Sequence, residues 1–113
     1  MGVPQEQIEE LKSIFPGVLR CDEGGLSFFL IPSLELPEGA DPARTDVLLC
    51  PMQRDGYESR LFFAEKTRSA KRNVNWNSTF RILERNWHAF SWRTKPNLRL
   101  AQMVAEHLRA FRQ

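Results

Sequence analysis

The spacing of apolar residues changes period twice along this chain, and that change limits the fold more than any other feature. Near the start, Ile8, Leu11, Ile14 and Phe15 recur at three-to-four spacing, which marks one face of a helix. Pro4 suits its first turn, and Glu6, Glu9 and Glu10 sit near the positive end of its dipole. Pro16-Gly17 stops it. Helical spacing returns only at the end, where Leu100, Met103, Val104, His107, Leu108 and Phe111 share a face. Asn97, after Pro96, is the expected N-cap of this last helix.

The middle reads as strands. Residues 17–21 form a short first strand, and Asp22-Glu23-Gly24-Gly25 has hairpin chemistry because glycine tolerates positive φ. Residues 26–36 make a second strand, bent at Pro32. Residues 37–44 are a loop. Residues 46–51 hold Val47, Leu48, Leu49 and Cys50 without a break, as a strand buried on both faces does. Arg54-Asp55-Gly56 makes a turn, and 57–65 a fourth strand. Residues 66–79 turn basic and then Asn-rich, and read as a long loop over one face. Residues 80–93 are ambiguous between a strand and a helical turn, and extended structure is expected around Trp87. The expected fold is therefore α+β: an N-terminal helix, a four-stranded antiparallel meander and a C-terminal helix, with both helices on one sheet face and residues 1–113 forming a single domain.

Composition narrows the function classes. A net charge of +2, with basic residues gathered only over 68–72, argues against a nucleic-acid partner. No apolar run approaches the roughly 20 residues that span a bilayer, so no membrane partner is expected. The two cysteines, Cys21 and Cys50, form no Cys-x-x-Cys pair, so neither a metal nor a cofactor is expected. The opening residues carry no apolar leader, and the expected setting is the cytoplasm, with both thiols reduced.

Several short motifs share an order seen elsewhere. The opener Gln7-Ile8-Glu9-Glu10-Leu11-Lys12-Ser13-Ile14-Phe15-Pro16 resembles the acidic first helix of RWD domains. Three later pieces are similar to the prokaryotic E2 family E, a bacterial branch of the ubiquitin-conjugating-enzyme superfamily. They are Leu36-Pro37-Glu38-Gly39, then Thr45-Asp46-Val47-Leu48-Leu49, then Trp87-His88-Ala89-Phe90-Ser91-Trp92-Arg93. Of the proline-rich turn that relatives carry after the aspartate-led strand, only Gly56-Tyr57 is kept. The resemblance implies a ubiquitin-conjugating-enzyme/RWD-like fold. It also implies work in a ubiquitin-like modification pathway, with a ubiquitin-like modifier and an activating-enzyme-like protein as partners.

The chemistry of such enzymes rests on a thioester, which needs an exposed thiolate near oxyanion-stabilising donors. This chain has no cysteine after Cys50, where the superfamily places its own. Cys50 lies in an apolar run and reads as a small buried hydrophobe. The residues that are left as catalytic candidates are Ser78 as an oxyester nucleophile, His88 as its base and Asn77 as an oxyanion donor. The competing reading gives the asparagines and Ser78 to turns and caps, and packs His88. Arg68, Lys71 and Arg72, with Trp76 exposed among polar neighbours, form the candidate partner-binding surface. Three functions follow: a conjugating-enzyme-like protein without a conventional thioester cysteine, a non-catalytic RWD-like interaction module, or an unrelated α+β binding domain.

Overall fold

A computed structural model describes residues 3–53, 56–69 and 74–112. Helix α1 (Gln5–Ile14) is followed by strands β1 (Leu19–Glu23), β2 (Leu26–Glu35), β3 (Ala40–Asp41), β4 (Arg44–Cys50), β5 (Arg60–Phe63), β6 (Arg68–Ser69), β7 (Trp76–Ile82) and β8 (Arg85–Phe90). Helix α2 (Leu100–Leu108) runs into a 3-10 turn at Arg109–Phe111. The class is α+β, but the four-stranded meander is corrected. Six strands form one antiparallel sheet in the order β1-β2-β4-β5-β8-β7, and β3 pairs with β6 in a separate two-stranded ribbon.

The added strands come from segments read as loop or as ambiguous. Strand β7 carries Asn77, Ser78 and Thr79, residue types that favour turns, yet its burial alternates along the strand with Trp76, Ser78, Phe80 and Ile82 the less exposed set. Its hairpin with β8 closes through Leu83 and Glu84, both at positive φ (54° and 60°). Neither residue advertises such a turn, which usually draws Asn-Gly, so the hairpin is silent in sequence. The bend expected at Pro32 is a bulge in β2, where the register with β4 shifts between Ile31 and Leu34.

Strand alternation explains why the central strands are apolar throughout. Phe29, Ile31, Val47, Leu49, Leu61 and Phe63 face one side, where Ile8 and Leu11 of α1, Leu100 and Val104 of α2, and Phe111 cover them. Phe28, Leu48, Cys50 and Phe62 face the other side, against Ile82, Trp87 and Ala89 of the β7–β8 hairpin. Among the described residues no helix packs on that second face, and the β7–β8 hairpin closes over it. Phe80 meets Phe62 edge-on at 5.4 Å, and Arg85 pairs with Asp46 of β4 at 3.1 Å. At the hairpin tip the Leu83 N–H donates to the Glu23 carboxylate at the end of β1, 3.2 Å away.

Both helices lie on one sheet face, and they hold each other. The Leu100 N–H at the start of α2 donates to Gln7 Oε1, and Arg99 pairs with Glu10 at 3.0 Å. The N-cap is Arg99, whose N–H bonds Gln102 Oε1; Asn97 precedes it in a left-handed conformation and is not the cap. Ile14 also departs from expectation. It is 53% exposed at the end of α1, because Ile8 and Leu11 define the buried stripe and Phe15 turns back under it. Beside Ile14, the end of α1, the β2 bulge and Leu108 line an open groove of about 370 Å³.

Candidate functional site

The catalytic set read from sequence does not assemble. In β7 and β8, Ser78 stands opposite Ala89 and Thr79 stands opposite His88. Directly opposed residues share a face and neighbours along a strand alternate, so Ser78 and His88 project to opposite sides of the hairpin. The imidazole Nδ1 of His88 bonds instead to the Thr79 hydroxyl at 3.1 Å. Asn77 occupies a bulge in β7, where the register shifts between Trp76 and Ser78, and its carboxamide bonds to Arg60 and Ser91.

The partner-binding set divides as well. Trp76 is not an exposed anchor. Its ring sits edge-on to Phe63 at 5.5 Å and Phe90 at 5.2 Å, and its Nε1–H donates to the Thr67 carbonyl. It extends the main core into β7. Arg68 is exposed in β6, facing Asp41 of β3 at 3.8 Å. Lys71 and Arg72 lie outside the described residues.

What the fold does bring together is a polar cluster at the other end of β8. Ser91, just past β8, lies 3.3 Å from the phenol oxygen of Tyr57, which is 34 residues away and precedes β5. Asn77 donates from Nδ2 to the Ser91 hydroxyl at 2.6 Å. Arg60, the first residue of β5, fixes that carboxamide by donating to Asn77 Oδ1 at 3.4 Å, and it also donates to the Phe90 carbonyl. Two guanidinium groups lie over the Tyr57 ring, Arg60 at 4.2 Å and Arg93 at 5.1 Å from its centroid. Arg93 is exposed and donates to the Gly56 carbonyl at 2.8 Å, while Arg60 is buried. The Tyr57 phenol is held below its usual pKa, first by the Ser91 hydroxyl, then by Asn77 and the two positive charges, with partial burial opposing them.

Sequence reasoning reached Asn77 but not its partners. Tyr57 and Ser91 were both in view, as the Gly56-Tyr57 remnant and as part of the Phe90-Ser91 stretch. Nothing in the spacing says that these segments touch, because their contact is made by β5 pairing with β8.

A second polar group is buried rather than exposed. Ser59, between Tyr57 and β5, bonds to His107 Nε2 of α2 at 3.0 Å and to the Thr94 hydroxyl at 3.2 Å. Both Ser59 and His107 are almost fully buried, and the pair reads as a satisfied core contact. The thiols are unequal: Cys50 is wholly buried, and Cys21 is half-buried on edge strand β1. Among the described residues no cluster of three or more His, Cys, Asp or Glu side chains is placed to hold a metal ion. No described helix is long and apolar enough to cross a membrane.

Comparison with protein-family models, curated proteins and solved structures finds no match to this chain.

Proposed function

We propose that this chain is a cytoplasmic protein-interaction module of a ubiquitin-like modification pathway, and that it carries no thioester of its own. One observation supports the reading most. Two of the segments that carry its sequence resemblance, Gly56-Tyr57 and Phe90-Ser91, converge on one accessible polar cluster through the 3.3 Å contact of Tyr57 with Ser91. A surface of hydrogen-bond donors and positive charge at the ends of paired strands suits partner binding. The placement of the candidate residues supports the non-catalytic part of this reading. The candidate nucleophile Ser78 and candidate base His88 face apart, and Cys50 has no exposed surface.

The test is reconstitution with a ubiquitin-like modifier, its activating enzyme and ATP. The expected result is a non-covalent complex on size exclusion, weakened by Arg93→Ala, with no adduct that a thiol reductant removes. A reductant-sensitive adduct lost in Cys21→Ala removes the non-thioester claim. Failure to bind either partner removes the pathway.

A further inference from the structure

Strand β1 ends the six-stranded sheet, and among the described residues it pairs with β2 alone. The loop Gly24-Gly25 decides which backbone groups of β1 point away from the sheet. Glu23 and Leu26 flank this two-residue loop at positive φ, so they form the hydrogen-bonded pair that closes the hairpin. Hydrogen-bonded and non-hydrogen-bonded pairs alternate along an antiparallel ladder. Cys21–Phe28 and Leu19–Leu30 are therefore hydrogen-bonded too, and the N–H and C=O groups of Arg20 and Asp22 point outward. Both of these residues are exposed, and Leu19 beside them is 57% exposed.

Outward donors and acceptors on an edge are a template for another strand, and charged side chains normally blunt it by repelling the newcomer. Here the charges repel every strand less than they repel one another's copies in the wrong register. Arg20 and Asp22 have opposite signs, flank Cys21 symmetrically and share one face of β1, where their side chains meet at 3.6 Å. An antiparallel copy of the same strand, centred on Cys21, sets each Arg20 opposite the copy's Asp22. Opposite charges at directly opposed positions favour pairing, and like charges oppose it. Sliding the copy by two residues is the smallest shift that keeps outward groups facing outward groups. It sets Arg20 against Arg20, or Asp22 against Asp22.

We propose that β1 is a self-recognition edge, through which two copies of this chain join by antiparallel β1–β1 pairing about a two-fold axis at Cys21. In this register the outward N–H and C=O groups of Arg20 and Asp22 are all taken up by the other copy. Leu19 stands against the copy's Glu23, whose carboxylate is turned away to the Leu83 N–H. The two Cys21 residues form a non-hydrogen-bonded pair across the axis, with Cα atoms about 4.5 Å apart, inside the range that a disulfide spans. The dimer is independent of the Tyr57 cluster and of the pathway that the chain serves.

The experiment is sedimentation equilibrium of the full chain in reductant, over a wide concentration range, with Arg20→Asp and Asp22→Arg alone and mixed. The native chain should show a monomer–dimer equilibrium. Each single variant opposes like charges at both outer pairs and should dimerise about tenfold more weakly or worse. Mixed in equal amounts, the two variants restore both opposite-charge pairs, so a heterodimer of near-native affinity is expected. That recovery also shows that neither variant has lost its fold. Amide hydrogen exchange reads the register: the Arg20 and Asp22 N–H groups should gain protection as concentration rises, while those of Cys21 and Glu23, already bonded to β2, should not change. With reductant removed, diamide should trap a disulfide dimer by taking two electrons and two protons from the paired Cys21 thiols, and Cys21→Ser should abolish it. A chain that stays monomeric at every concentration overturns the proposal, as does a dimer equally strong in Arg20→Asp, or a mixture no better than its components. Protection of Arg20 and Asp22 that appears only when a ubiquitin-like modifier or activating enzyme is added gives the edge to another strand and also overturns it.

Discussion

The Ser59 hydroxyl stands 3.0 Å from Nε2 of His107, joining the approach to β5 with helix α2 across 48 residues of sequence. Both side chains are buried, and the imidazole pKa is lowered to about 4 from its usual 6.5. Desolvation is the larger cause and the nearby Arg60 charge the second, against a smaller opposing effect of hydrogen bonding to the Ser59 backbone. The folded chain therefore keeps His107 neutral where the unfolded chain takes up a proton.

The sign of the pH dependence follows. Above pH 6.5 both states hold a neutral imidazole, and the native contact is at full strength. As pH falls from 6.5 towards 4 the unfolded state is favoured, and the loss levels off once the folded imidazole also protonates. The shift corresponds to about 3 kcal/mol as an order of magnitude. Urea melts at pH 7 and pH 4.5 should show a larger loss of stability for the native chain than for His107→Gln, which keeps a polar partner for Ser59 and does not titrate. Equal losses in the two proteins would show that His107 is solvated or already charged.

Trp76 gives the second expectation. Its ring closes an aromatic group with Phe63, Phe90 and Phe111, whose centroids lie 5.2 to 5.7 Å apart in mostly edge-to-face contacts. Such contacts add to the apolar area that a large aromatic buries. Trp76→Ala should cost about 2–4 kcal/mol in denaturant melts, a little below the range for a fully buried aromatic because the side chain is half-exposed. If stability is untouched and only partner binding suffers, Trp76 is the surface anchor that its polar neighbours suggested.

The case of Trp76 shows what was and was not legible. Local pattern placed both helices, the first hairpin, the bend at Pro32 and the buried run Val47 to Cys50, because each is written in periodicity or in turn residues. The β7–β8 hairpin escaped because its tip lacks glycine and its strand is polar at alternate positions. That single omission moved Trp76 from the core to an imagined loop. It also let Ser78 and His88 be joined, although strand alternation sends them to opposite faces. Tyr57 and Ser91 were visible as motif residues, but their meeting depends on which strand follows β5 in the sheet. That is a long-range choice that no local window contains.

The two hairpin tips offer the last expectation, since they share a geometry and differ in sequence. The β1–β2 loop is Gly24-Gly25, with φ of 59° and 79°. The β7–β8 loop is Leu83-Glu84, with φ of 54° and 60°. Left-handed backbone costs an L-residue about 1–2 kcal/mol, and glycine almost nothing. Leu83 is tied down by its apolar contact with the second core and by its N–H bond to Glu23, which offset that strain. Glu84 is exposed and makes no such contact among the described residues. Glu84→Gly should therefore stabilise the chain by about 0.5–1 kcal/mol, the relief of strain less the added freedom of the unfolded chain. Gly24→Ala should do the opposite by about 1 kcal/mol, and through backbone strain alone, because a Cβ there meets nothing within 4 Å. Thermal melts of the two variants test the pair together. A destabilised Glu84→Gly would mean that the β7–β8 loop does not adopt the left-handed turn, and the closure of the hairpin over the second face of the sheet would have to be rebuilt.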